Sequence, residues 1–284
     1  MKRSEMFQNL TVLVFAATIS FFPALGANAA MNLSNDRSEM TTEFEVAPEI
    51  SSIKYEEPNI ATEKGLMYGI SGAYTTRFPE KWVLGVDGRF SVGQVDYDSN
   101  GTGSIDNIWD YIIEVRGTAG YDLQVLNSTR VTPYLGLGYR FLRDELGGEV
   151  STTNALGYDR QSAYFYLPIG VKTMTPLTNE WFVGLNVEYD IFLDGTQKSE
   201  LGDAIAGLDT LENDQDQGYG VRGSIQVVKS SDRYDFFIEP FIRYWNIKQS
   251  DTKAVTYSGT PIGVVGYEPK NNSTEIGAKL GMHF

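Results

Sequence analysis

The sequence predicts an all-β fold: a transmembrane, up-and-down antiparallel β-barrel of ten strands, with eight as the alternative count. Three observations predict it. Apolar and polar residues alternate with period two along most of the chain, and helical periodicity is nearly absent. The connections between alternating segments run long, short, long, short. Aromatic residues gather at segment ends rather than at segment middles.

In chain order, residues 1–29 read as a secretory signal peptide. Lys2 and Arg3 give a positive start, Leu10 to Phe22 is an apolar run, and Pro23 and Gly26 break it before the small residues Ala27-Asn28-Ala29. The run is too short for a comfortable spanning helix. Residues 30–42 are expected to be a short periplasmic segment and 43–284 the barrel. Beyond residue 30 no stretch approaches the roughly 18–20 apolar residues of a spanning helix. A barrel strand shows only one apolar face, so hydropathy alone would miss it.

The alternation predicts strands at 43–54, 66–78, 82–95, 108–122, 131–143, 162–174, 181–193, 218–229, 234–247 and 274–284. The clearest runs from Trp181 to Ile191. One face carries Trp181, Val183, Leu185, Val187, Tyr189 and Ile191, and the other Phe182, Gly184, Asn186, Glu188 and Asp190. These lengths match the roughly 9–11 residues of a tilted membrane strand plus an extension into water.

Connections such as Pro79-Glu80-Lys81 and Ser230 to Arg233 are short. Asp96–Asn107, Asp144–Gln161, Asp194–Gln217 and Lys248–Ser273 are long and rich in Gly, Asn, Asp and Ser. Short turns on one side and long loops on the other are a barrel signature. Trp82, Trp181, Phe78, Tyr121 and Phe284 mark one aromatic girdle. Tyr55, Trp109, Phe141 and Trp245 are expected in the other, with Phe241 as a mid-strand core ring.

The final segment, Ile276-Gly277-Ala278-Lys279-Leu280-Gly281-Met282-His283-Phe284, resembles the C-terminal β-signal of bacterial outer-membrane proteins. The resemblance implies an outer-membrane location, with Phe284, Met282 and Leu280 read by the barrel-assembly machinery. It also implies lipid and lipopolysaccharide as surroundings for a monomer. In size the chain is similar to OmpA-type barrels and ten-stranded omptins. Glu49-Ile50, Tyr55-Glu56-Glu57-Pro58 and Gly65-Leu66-Met67-Tyr68-Gly69-Ile70 resemble uncharacterised proteobacterial barrels of no assigned activity.

The β-signal sets the phase. With Phe284, Met282, Leu280 and Ile276 on lipid, the inward set holds Glu45, Glu49, Asp87, Glu114, Glu188, Glu239 and Glu275. The inward bases are Arg89, Arg116, Arg140, Lys172, Arg222, Arg243 and Lys279. Such balance in a chain of net charge −14 predicts pairing across a mostly closed lumen. A water-filled pore lined by charged rings is the competing reading.

The absence of cysteine excludes disulfides and thiolate metal sites. The acidic charge excludes bulk electrostatic nucleic-acid binding. His283, the sole histidine, lies beside the C-terminus. Omptin proteases pair a histidine with carboxylates near the outer rim, and barrel lipases use histidine with serine, so no catalytic residue is assigned. Glu188 and Asp190 on one face of their strand, and Glu114 with Arg116 on theirs, read as members of salt bridges rather than as catalysts. Asn100-Gly101-Thr102-Gly103-Ser104 is a loop without a following helix, not a phosphate cradle. In the loop Gly195–Gln217, Glu200, Asp203, Asp209, Glu212, Asp214 and Asp216 face Lys198 alone. It lacks EF-hand order and is expected to be solvated and mobile, with a helical turn at 204–208. No metal or cofactor is assigned. The functional expectation is a non-enzymatic barrel displaying surface loops in a structural or adhesive role. A narrow channel is the alternative, and an envelope enzyme stands third.

Overall fold

A computed structural model describes residues 39–125 and 128–284. The expected signal peptide lies outside the described residues. Ten long strands form the barrel wall: β1 (Thr41–Glu57), β2 (Ala61–Arg77), β3 (Trp82–Ser99), β4 (Gly103–Tyr121), β6 (Thr129–Glu145), β7 (Arg160–Pro176), β8 (Trp181–Ser199), β10 (Gly218–Lys229), β11 (Asp235–Ile247) and β14 (Asn271–His283). The short β5 (Leu123–Val125) pairs with β6, and β9 (Leu211–Gln215) pairs antiparallel with the last residues of β8. A separate hairpin of β12 (Lys253–Tyr257) and β13 (Thr260–Gly266) stands in the last long connection.

Each wall strand pairs antiparallel with its neighbours in sequence, and β1 pairs with β14 to close the ring. Closure leaves no sheet edge, which a membrane-spanning sheet requires because lipid offers no hydrogen bonds to free backbone groups. No helix among the described residues is long and apolar enough to cross a membrane. The strands do the crossing.

The period-two alternation dictates which residues face lipid. Leu66, Tyr68 and Ile70 on β2, Leu135 and Leu137 on β6, and Leu185, Val187 and Tyr189 on β8 are exposed outward. Their neighbours Met67, Tyr134 and Glu188 are buried inside. Leu280 and Ile276 are 66% and 57% exposed, as the β-signal phase requires. Phe284 stacks on Phe44 with ring centroids 5.3 Å apart.

Toward the end that carries the long connections, the outer end in barrels of this kind, the outward face changes from Ile50 to Ser52, Lys54 and Glu56 on β1, and from Leu66 to Lys64 and Thr62 on β2. The wall continues past the hydrocarbon. Strands of 17–19 residues outreach the roughly 9–11 needed to span, and the surplus forms a collar in water.

Several strand ends therefore differ from the sequence reading. Most of Tyr55 to Gly65 is strand around the turn Pro58-Asn59-Ile60, and Asp96–Asn107 is largely a hairpin turning at 100–102. The acidic loop is ordered as well. Its helical turn is a 3-10 turn at Leu201–Asp203, just before the expected segment, and β9 follows it. Two girdle assignments are corrected. Tyr55 and Trp245 are 5% and 3% exposed and point into the barrel. Both share parity with inward residues, Glu49 and Arg243 respectively, so phase overrides position near a strand end. Trp109 is 51% exposed and Trp82 packs edge-on to Tyr121.

Candidate functional site

The lumen holds the concentration of chemistry, in three tiers along the barrel axis. In the middle tier, arginines reach across from wall to wall. Arg222 on β10 forks onto Glu114 of β4, and its Nε meets Asp190 at 2.7 Å and Glu188 at 3.1 Å. Arg116 on β4 spans back to Glu188 on β8 at 2.7 Å and to Asp87 on β3 at 2.7 Å. Arg89 reaches Glu275 at 3.0 Å, Glu114 at 2.9 Å and Glu49 at 3.3 Å. Arg243 closes the set on Glu49 at 3.1 Å and Glu275 at 3.0 Å.

Hydroxyls add to these bonds at four of the carboxylates, while Oδ1 of Asp190 is left without a hydrogen-bond partner. Tyr134 donates to Glu188 at 2.6 Å, Tyr166 to Glu114 at 2.7 Å, Ser91 to Glu49 at 2.8 Å and Ser51 to Glu275 at 2.9 Å. Two glycines make room for the rings. A Cβ at Gly170 would collide with the ring of Tyr134, and one at Gly138 with the ring of Tyr166. The inward glycines of β6 and β7 are thus what let tyrosines lie across the lumen. Planar guanidinium forks suit such bidentate pairing with carboxylates.

The periplasmic tier is looser. Lys279 stands 3.9 Å from Glu45 and 3.6 Å from Glu239, and Gln226 donates to Glu239 at 3.0 Å. His283 Nε2 lies 3.1 Å from Glu45. Lys172 sits over the Tyr134 ring at 5.4 Å. A cavity of about 170 Å³, lined by Glu45, Arg77, Asp87, Lys172 and Glu239 among others, reaches up to Arg89 and Arg222 of the middle tier. Ala47, Phe182, Val228 and Phe237 form an apolar cluster at the same end.

The outer tier mixes acid and oil. Arg160 meets Glu57 at 2.6 Å and Glu268 at 2.8 Å, and Tyr55 donates to Glu268 at 2.8 Å. Burial pushes the Glu268 carboxyl up, while Arg160 pulls it down. Glu63, Asp110 and Asp144 lie together nearby, 2%, 3% and 4% exposed. Around them pack Ile53, Met67, Val95, Ile108, Ile112 and Leu142. Arg140 is held by the Tyr164 ring at 5.7 Å, and its Nε has no hydrogen-bond partner.

Beyond the wall, the carboxylates of the acidic loop pin the β12–β13 hairpin. Asp209 accepts from Thr256 at 2.6 Å and from the Gly259 amide at 2.8 Å, which lowers its pKa. Lys253 bridges Asp214 at 2.9 Å and Asp251 at 2.7 Å, and its own pKa rises through those bonds. Glu212 meets Lys198 at 3.2 Å.

A closed ten-stranded wall with an apolar outer belt has a match among known families. The model of the outer membrane protein beta-barrel domain matches residues 20–203. The chain belongs to that family. This outer-membrane barrel resembles the outer membrane protease OmpT of Escherichia coli at 10% identity and a TM-score of 0.62, covering 88% of this chain and 99% of that one. The translocator domain of the autotransporter NalP from Neisseria meningitidis aligns at 8% identity and a TM-score of 0.39, over 97% and 94% of the two chains. The toluene transporter TodX of P. putida aligns at 12% identity and a TM-score of 0.32, over 85% and 89%. At these identities the likeness is one of fold, and the last two superpose too loosely to bear on function. No curated protein sequence matches the chain.

In this outer-membrane barrel the sequence-derived inward residues all project from the wall into the lumen. Twelve of those fourteen are joined by ion pairs, and Arg140 and Lys172 rest on tyrosine rings instead. The reading of balanced charge is corrected. Among the described residues eight further carboxylates, Glu57, Glu63, Asp110, Asp122, Asp144, Asp190, Asp235 and Glu268, are buried, with two further arginines, Arg130 and Arg160. Glu57, Glu63, Asp144 and Arg160 lie just beyond strand assignments bounded at residues 54, 66, 143 and 162. Asp110 and Asp190 were legible, since each shares parity with a glutamate on its own strand, Glu114 and Glu188.

Proposed function

We propose that this outer-membrane protein is a non-enzymatic, non-conducting barrel that holds an ordered collar of outer loops for a structural or adhesive role. The observation that carries the reading is the middle tier. Arg222, Arg116 and Arg89 each tie strands that are not neighbours, so fixed ion pairs occupy the lumen where a solute would pass. Removing one partner from such a set leaves a charge stranded, which keeps the set locked.

The position of the sole histidine supports the non-enzymatic half. His283 is at the periplasmic end, bonded to Glu45 and stacked on Phe237 at 4.7 Å, so the outer rim has no imidazole base. The loops support display. The β12–β13 hairpin exposes Ile262, Val264 and Val265 at 47%, 54% and 62%, and it is fastened to the acidic loop rather than free.

Planar-bilayer recording of the refolded protein tests the proposal. Little conductance is expected from the wild type. A stable, porin-sized conductance whose selectivity shifts in Arg116→Ala without loss of folding would promote the channel reading. The assembly role of the C-terminal strand has its own test. Deleting Phe284 should lower the amount of heat-modifiable, protease-resistant barrel, and a normal amount would refute it.

A further inference from the structure

We infer that Glu63, Asp110 and Asp144 form a binding site for one hard divalent cation of the calcium class, inside the outer rim of the barrel. Each residue offers one carboxylate oxygen, and these three atoms lie within 4.8 Å of one another. Oxygens on a calcium ion sit about 2.3–2.6 Å from it and hence up to about 5 Å apart across it.

Proximity alone would not make a site. The second observation is that four of the group's six carboxylate oxygens are buried without a hydrogen-bond donor. Both oxygens of Glu63, Oδ1 of Asp110 and Oδ1 of Asp144 have no hydrogen-bond partner. Nearly all buried acceptors in native proteins are satisfied, and orphaned charged ones are costly. Here several converge on one point.

The surroundings deepen the need for a cation. Asp110 lies between Ile108 and Ile112 on the inward face of β4, and Asp144 between Leu142 and Leu146 at the end of β6. The backbone register sets Asp110 directly against Asp144, so two like charges face each other. Arg160 approaches Glu63 only at 3.5 Å, because its closer contacts go to Glu57 and Glu268. Arg160 and Arg140 act on Asp144 from a distance, but neither makes an ion pair with either aspartate, and the one close guanidinium is shared among three glutamates.

The donor set names the ligand class. Three carboxylates without imidazole or thiolate suit a hard cation, and carboxylates that bind through one or two oxygens suit the flexible coordination of calcium better than strict octahedral magnesium. Because the ligands come from β2, β4 and β6, a bound ion would latch three wall strands where they leave the membrane. It would stiffen the collar without touching the middle tier.

The test uses the refolded, full-length mature barrel in lipopolysaccharide-free detergent, stripped with a chelator. Calcium titration by calorimetry should give one site per chain and raise the thermal midpoint, with magnesium weaker. Asp110→Asn with Asp144→Asn together should weaken binding by at least roughly tenfold, as two of three anionic ligands are gone. Asp214→Asn in the acidic loop should bind as wild type. Terbium emission excited through tyrosine, with Tyr97 packed on the same cluster, gives a readout on the wild type should the double variant fail to fold. That emission should be quenched by excess calcium and lowered in Tyr97→Phe. Absence of calcium and terbium binding in the wild type would overturn the site, as would wild-type binding by the double variant. A wild type that takes up no ion yet shifts its midpoint between pH 5 and 8 would show the aspartates sharing a proton instead, which also overturns it.

Discussion

The middle and outer tiers of the lumen bury similar groups in opposite ways. In the middle tier Glu114 accepts from Arg89, Arg222 and Tyr166, and Glu188 from Arg116 and Tyr134. In the outer tier Asp110 faces Asp144 among isoleucine and leucine side chains, with orphan oxygens on each. The difference teaches that a closed barrel stabilises buried charge by geometry rather than by net balance. Where strands bring arginine across the lumen, acids are held. In the outer tier Arg160 does this for Glu57 and Glu268, but it makes no ion pair with Asp110 or Asp144.

The largest way to break this comparison is in the middle tier. Arg222→Ala strands Glu114 and Asp190 together, and should cost about 3–5 kcal/mol of unfolding free energy. Urea unfolding in lipid vesicles measures it, and an unchanged midpoint would mean the tier is ornamental. At the same height but on the opposite face, Leu185→Arg should cost about 2–4 kcal/mol by placing charge in hydrocarbon. Asn186→Arg instead enters the lumen near Glu188, where Tyr134 already binds Asn186 at 2.9 Å. Spin labels at 185 and 186 check the phase directly. Lipid accessibility at 186 and not at 185 would invert every tier.

The outer tier should answer differently. With chelator present, Asp110→Asn should leave the thermal midpoint unchanged or raise it, because it removes a repelling charge beside Asp144. A loss as large as that of Arg222→Ala would erase the distinction between tiers. The smallest effect belongs to the loops. The Thr256 hydroxyl and then the Gly259 amide hold Asp209 below its ordinary pKa, so its contribution is complete above the unfolded value near 3.9 and is lost as pH falls below it. Protection of the β12–β13 hairpin from proteolysis by an acid-stable protease should be constant down to about pH 5 and decline below about pH 4. Asp209→Asn should remove the pH step while leaving the barrel intact.

What the sequence by itself determined was the wall. Period two forces every second residue onto lipid, so ten strands, the phase of Leu280 and Leu185, and the inward glutamates and arginines follow from local pattern. The parity that exposes Leu185 also buries Glu188, and it would have revealed Asp110 and Asp190 and turned Tyr55 and Trp245 inward. Only the tertiary structure decided which charges meet. Arg222 and Glu114 are far apart in sequence and on strands that do not touch, so their contact depends on shear, closure and the space left by Gly138 and Gly170. How far the strands extend beyond the membrane was equally invisible. Past the hydrocarbon the outward face turns polar, the alternation fades, and Glu63, Asp144 and Arg160 look like loop residues. Hydrogen bonding in the collar keeps them in strands, and the closed ring brings Glu63 to Asp110 and Asp144.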